Sequence, residues 1–181
     1  MEKKLSDMSL EELWKLFPIH LTEHQPDWRE WYAEEENLLK NRVSDIERIS
    51  HIGSTAISSI CAKPIIDILA EISREHKLSD YKEAIMNSGY ICMSETSDRI
   101  SFNKGYTENG FAERVYHLHL RYIGDNDEVY FRDYLIEHAD VALEYERMKL
   151  ELWKKYEFNR DGYTNSKTCL LYTSDAADDL I

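Results

Sequence analysis

The sequence predicts an α+β domain: a mixed sheet flanked by helices, with one apolar sheet face and one face carrying functional groups. Three observations predict it. Segments 64–72, 99–104 and 115–123 alternate apolar and polar residues with period two, the pattern of strands with two unlike faces. Segments near 28–41, 79–88 and 127–156 repeat their apolar residues at helical spacing. The chain has 181 residues, 43% apolar and 31% charged, with six Gly and three Pro, which suits one folded domain and excludes a disordered or collagen-like chain.

Each element follows in chain order. Ser9 and Glu12 have capping-box spacing, and Leu10, Leu13, Trp14 and Phe17 continue a short helix that ends before Pro18. After an extended connection from Leu21, Pro26 and Asp27 open a second helix over about 28–41. Trp28, Trp31, Leu38 and Leu39 form its buried stripe, and Glu34, Glu35 and Glu36 read as a solvated face. Ile46 to Ile52 alternates as a strand and runs into the small-residue turn Gly53, Ser54, Thr55. In the next strand Ile66, Ile68, Ala70 and Ile72 share one face, while Ile65, Asp67, Leu69 and Glu71 share the other. Glu71 reads as a strand-end surface residue.

A helix over 79–88 puts Tyr81, Ala84 and Ile85 inward and stops at Gly89. Strands follow near 90–94, 99–104 and 115–123. Ile100 and Phe102 oppose Arg99, Ser101 and Asn103, and Tyr116, Leu118, Leu120 and Tyr122 oppose His117, His119 and Arg121. Residues 127–156 are helical with a break near His138 to Asp140, and their aromatics Tyr130, Phe131, Tyr134, Tyr145 and Trp153 read as core. The polar sheet face, left open as a cleft, is where function is expected.

Charge narrows the functional classes. Twenty-two Lys and Arg against 35 Asp and Glu leave −13, which opposes neutralising a run of nucleic-acid phosphates. The chain opens without an apolar signal core and has no apolar run near the ~20 residues that cross a bilayer, so a cytoplasmic location and no membrane partner are expected. Cys61, Cys92 and Cys169 are odd in number and lack a CxxC spacing, so they read as reduced thiols.

Residues Cys169 to Asp178, CLLYTSDAAD, resemble one reading frame of a transposon-end sequencing adapter. Residues 169–181 are therefore read as non-native, with Thr168 the last native residue and a final native helix expected to be missing. Residues 1–168 are then one domain, its helical part 126–168 packed on the sheet. Without Asp175, Asp178 and Asp179 the charge is −10.

The run HIGSTAISSICAKPIIDILAEI from His51, with HQPDW from His24, ERVYHLHLRYI from Glu113 and FRDYL from Phe131, resembles the GrpB family of the nucleotidyltransferase superfamily. The resemblance implies a polymerase-β-like fold and a nucleotide or other small-molecule ligand. It implies that Gly53, Ser54 and Thr55 hold triphosphate oxygens through a tight turn, and that Asp67 binds Mg²⁺. Ser54 and Asp67 are then the expected catalytic pair. Lys63, set before Pro64, and the cations Lys104, Arg114 and Arg132 are expected ligand contacts, each with a surface ion pair as the competing explanation.

The chain departs from the superfamily pattern where a second carboxylate is expected two residues after Asp67, since Leu69 stands there. Glu71 shares that face but lies roughly 13 Å along the strand. His117 and His119 occupy a comparable strand in place of a third carboxylate, and imidazole suits transition metals better than Mg²⁺. Three functions stay open: nucleoside monophosphate transfer from an NTP to a small acceptor, a mononuclear metal enzyme using Asp67, His117 and His119, or a binding module without turnover. In some relatives such a domain is fused to dephospho-CoA kinase, which implies a coenzyme A or nucleotide context for the third. The oligomeric state cannot be read from the sequence.

Overall fold

The computed structural model describes residues 4–173, with side chains described as far as Lys167. Of the stretch read as adapter, residues 169–173 continue a helix and 174–181 lie outside the described residues.

Alternation produces the strands at the expected places. Ile46–Ile52 (β1), Ile66–Ile72 (β2), Ile91–Glu95 (β3), Arg99–Thr107 (β4) and Gly110–Tyr122 (β5) form one sheet in the order β1-β2-β5-β4-β3. Only the central pair β2 and β5 is parallel, and the register sets Asp67 beside His117 and Leu69 beside His119. The helices are Leu10–Leu16 (α1), Asp27–Arg42 (α2), Ser79–Met86 (α3), Asp127–Glu137 (α4), Ala139–Tyr156 (α5) and Arg160–Thr173 (α6). Ser9 caps α1 in the expected capping box. The break before α5 falls at His138, whose non-helical backbone ends α4 and starts α5. None of the described helices is long and apolar enough to cross a membrane.

The even-numbered residues of β2, β4 and β5 make the main core. Ile66, Ile68, Ala70, Ile72, Leu118, Leu120, Ile100 and Phe102 pack under Trp28 and Leu39 of α2 and Tyr81 and Ile85 of α3. At about 25 cal/mol per Å² of apolar surface, each such aliphatic side chain contributes about 1.5–3 kcal/mol. The opposite face is not open: α4 and α5 form their own core with Ile57 and Ile60 of the connection after β1. Tyr163 of α6 packs with Leu152 of α5 and Ile19. The polar face is thus roofed by helices, and what remains is a cleft between roof and sheet.

Three side chains depart from expectation. Glu35 is buried because Lys104 reaches it from β4, its Nζ donating to both carboxylate oxygens at 2.8 and 2.9 Å. Glu71 is fully buried, accepting from Gly124 N and Asn126 Nδ2 at 3.1 Å, with Arg48 Nε 3.6 Å from its other oxygen. Tyr130 is exposed on the outer side of α4, although Phe131, Tyr134 and Tyr145 are in the helical core as expected. The helical part expected over 126–168 continues past the helical spacing that ends at Tyr156, as α6.

Candidate functional site

Gly53 brings the turn after β1 against the carboxylate of β2. Its φ of +70° lies in the region side chains avoid, and an added Cβ would stand 2.4 Å from Asp67 Oδ2. No other residue allows that approach. The turn continues as a single 3₁₀ turn over Ser54–Ala56, tied down by Thr55, whose Oγ1 donates to Ile65 O at 3.2 Å and meets His51 Nε2 at 3.0 Å. Thr55 is therefore a brace for the turn, with its side chain spent on Ile65, just before β2, and on His51 of β1.

Asp67 sits where the turn, β2 and β5 meet. Its Oδ1 is 3.1 Å from His117 Nδ1 and 4.0 Å from His119 Nε2. Burial pushes its pKa up, but hydrogen bonds and charge from His117 and His119 outweigh it and hold the carboxyl well below the usual carboxylate range. The ionised carboxylate only accepts, so His117 Nδ1 donates to it. His117 Nε2 pairs with Tyr106 Oη at 2.8 Å, and Tyr106 Oη accepts from Arg160 Nη1 and Nη2, each at 3.2 Å. This chain satisfies every member: Arg160, Tyr106, His117, Asp67.

A bulge puts Tyr106 there. In β4 the alternation that sends Ile100 and Phe102 to the core also sends Lys104, and Tyr106 would follow. The register shifts between Lys104 and Tyr106, at Gly105, where φ is +90° and a Cβ would stand 2.3 Å from Arg114 O. The shift turns Tyr106 to the face of His117.

Among the described residues, four cations close the site from the roof and the rim. Lys149 of α5 is buried, its Nζ donating to Ser54 Oγ at 3.0 Å and to Cys61 O. Lys63 lies over the Tyr163 ring, and Lys167 of α6 over the Tyr145 ring. With Arg160 they line one cavity of about 350 Å³ that also takes in Gly53, Ser54, Thr55, Asp67, His117 and His119. Burial first, then Lys167 beside it, pushes Lys149 down to about 7; burial, Arg160 and Lys167 push Lys63 down to about 8. A second cavity of about 200 Å³ shares Gly53, Ser54, Asp67, His119 and Lys167, and is walled by Phe131, Arg132 and Glu128.

Gly53, Ser54, Thr55, Lys63, Asp67, His117 and His119 thus meet at one place, and Arg132 lies beside it. Arg132 is partly engaged, with Nη1 donating to His51 O at 2.6 Å and Nε to Asp133 at 2.7 Å. Lys104 and Arg114 do not reach the site: Lys104 is under α2 with Glu35, and Arg114 pairs with Glu34 and covers Trp31. Tyr106, Lys149, Arg160 and Lys167 were missed. For α6 a signal existed, since Arg160, Tyr163, Thr164 and Lys167 have the i, i+3, i+4, i+7 spacing and all line the cavity.

The residues fit a two-metal carboxylate site poorly. Leu69 is fully buried, Glu71 is consumed by Gly124, Asn126 and Arg48, and His117 uses both nitrogens in the chain above. Among the described residues no three His, Cys, Asp or Glu side chains are grouped to hold a metal ion.

Comparison with known proteins agrees with this architecture. The family model for the GrpB protein matches residues 18–174. A glutamate-rich protein GrpB from Alkalihalophilus pseudofirmus is 33% identical over 155 residues, covering 82% of this chain and 89% of its own. The crystal structure of the conserved protein GrpB from Enterococcus faecalis superposes with a TM-score of 0.70 at 29% identity, covering 81% of this chain and 90% of that one. The MgATP-bound Cid1 poly(U) polymerase aligns with a TM-score of 0.52 at 12% identity over 81% of this chain and 47% of its own, a likeness of fold alone.

Proposed function

The chain belongs to the GrpB family, with a nucleotidyltransferase-like fold, and on that premise we propose that it binds a nucleotide by its phosphates in the cleft around Asp67. One observation carries the reading: a glycine turn of the type that approaches phosphates shares a single cavity with Lys63, Lys149, Arg160 and Lys167. Isothermal titration with ATP, GTP, CTP and UTP tests it. At least one should bind, and Lys167→Ala should weaken it tenfold or more. Absence of binding by all four sinks the reading.

The second cavity supports a further step, transfer of the nucleotide to a small acceptor. The two cavities meet at Asp67 and His119, so an acceptor hydroxyl held by Phe131 and Arg132 would face a phosphate held by the cations. The hydroxyl oxygen would bond to the α-phosphorus, its proton passing to His119, which the Asp67 carboxylate faces, as pyrophosphate leaves. Pyrophosphate release that requires an added acceptor and is lost in Asp67→Asn is the expected outcome. Binding without release under any acceptor panel leaves a binding module.

A further inference from the structure

We propose that this cleft takes the phosphate oxygens of its ligand on its own side-chain cations, with no divalent cation required. The inference rests on the phosphate-binding reading above and concerns what neutralises the charge. In a two-metal site, carboxylates concentrate cations and the cations hold the phosphates. Here each carboxylate position after the first has gone. The second is Leu69, buried in the sheet; the strand-end Glu71 is sealed among Gly124, Asn126 and Arg48; and the neighbouring strand presents His117 and His119 beside Asp67 and Leu69.

The surviving carboxylate is also engaged. Asp67 Oδ1 accepts from His117, which is held in turn by Tyr106 and Arg160. A metal at Oδ1 would displace a hydrogen bond on which three further groups depend.

Positive charge is in excess at the same place. Among the described residues, Lys63, Lys149, Arg160 and Lys167 line the cavity with Asp67 as its one carboxylate. Lys63 and Lys149 are pushed down by burial first, and further by Lys167 beside them. Four clustered cations are costly in a part-buried site until an anion enters. A polyphosphate supplies that anion, with oxygens enough for several ammonium groups and a guanidinium at once.

Calorimetry with inorganic tripolyphosphate, in EDTA and in excess Mg²⁺, decides the point, with ATP titrated in parallel. Tripolyphosphate and ATP should both bind in EDTA, and Mg²⁺ should leave affinity unchanged or lower it, because it neutralises the ligand. Arg160→Leu and Lys149→Met should each weaken tripolyphosphate at least tenfold in EDTA, with Arg160→Lys recovering part of the loss. Folding of each variant is confirmed by its thermal transition. Binding that appears only with Mg²⁺ overturns the inference and leaves the nucleotide reading standing. ATP binding in EDTA without tripolyphosphate binding also overturns it, since the nucleoside would then carry the affinity. No binding of either anion in either condition overturns the inference, and the nucleotide reading falls with it once GTP, CTP and UTP also fail to bind.

Discussion

At the scale of single residues, Gly53 and Lys149 carry the sharpest expectations. Gly53→Ala places a methyl where Asp67 Oδ2 stands and holds a side chain at φ +70°. Strain of this kind costs about 1–3 kcal/mol. The expected result is a lower urea midpoint together with loss of nucleotide binding; an unchanged midpoint would mean the turn relaxes freely. Lys149 titrates near 7 in the folded protein and near 10.4 in the unfolded chain. Between those values the unfolded state binds the extra proton, so folding stability rises with pH and is lost as pH falls from about 10 to 7. Wild type should therefore gain stability over Lys149→Met as pH is raised from 7 to 10. A gap that stays constant would show that the ammonium is not desolvated. The same groups predict proton uptake when an anion binds at pH 8, because Lys63 and Lys149 are then drawn back to the charged form. Binding enthalpies measured in phosphate-free buffers of different ionisation enthalpy should differ accordingly, and identical enthalpies would contradict it.

At the scale of elements, much of the site could be read from period-two alternation alone. That period set Asp67, His117 and His119 on one face, and the turn residues follow β1 directly in sequence. Lys104 shares the core parity of Ile100 and Phe102 on β4, which separates it from the site face. Tyr106 was hidden by the Gly105 bulge, which reverses parity in a way no period shows. Lys149 and Lys167 needed the packing of α5 and α6 over the sheet, a long-range placement fixed by the separate cores around Ala142 and Tyr163. The misread pair Glu35 and Lys104 makes a test of how α2 is held. Removing one partner of a buried ion pair costs about 3–5 kcal/mol, whereas replacing both by apolar residues is often neutral or stabilising. Glu35→Leu should therefore unfold at a clearly lower urea concentration than wild type, and Glu35→Leu with Lys104→Met should recover most of the loss. If the double variant is as weak as the single one, the pair anchors α2 by a specific geometry that burial alone does not replace.

At the scale of the whole molecule, a chain of formal charge −13 holds a cavity that, among the described residues, is lined by four cations and one carboxylate. The two facts act over different distances. At physiological ionic strength screening sets in over about 8 Å, so a ligand outside the cleft meets the acidic surface, and only one inside it meets the lysines. A compact polyphosphate can bring all its charge within that range. A nucleic-acid strand cannot, because most of its phosphates must lie along the exterior, where the acid surplus repels them and little counterion release is gained. Tripolyphosphate should therefore displace a fluorescent nucleotide from the cleft, while a single-stranded oligonucleotide carrying ten times as many phosphates should not compete at equal phosphate concentration. Raising the salt from 50 to 200 mM should then weaken nucleotide binding only modestly, since the relevant contacts are part-buried. Effective competition by the oligonucleotide, with a steep salt dependence, would show that the cationic face continues beyond the cleft and that the ligand is a polymer.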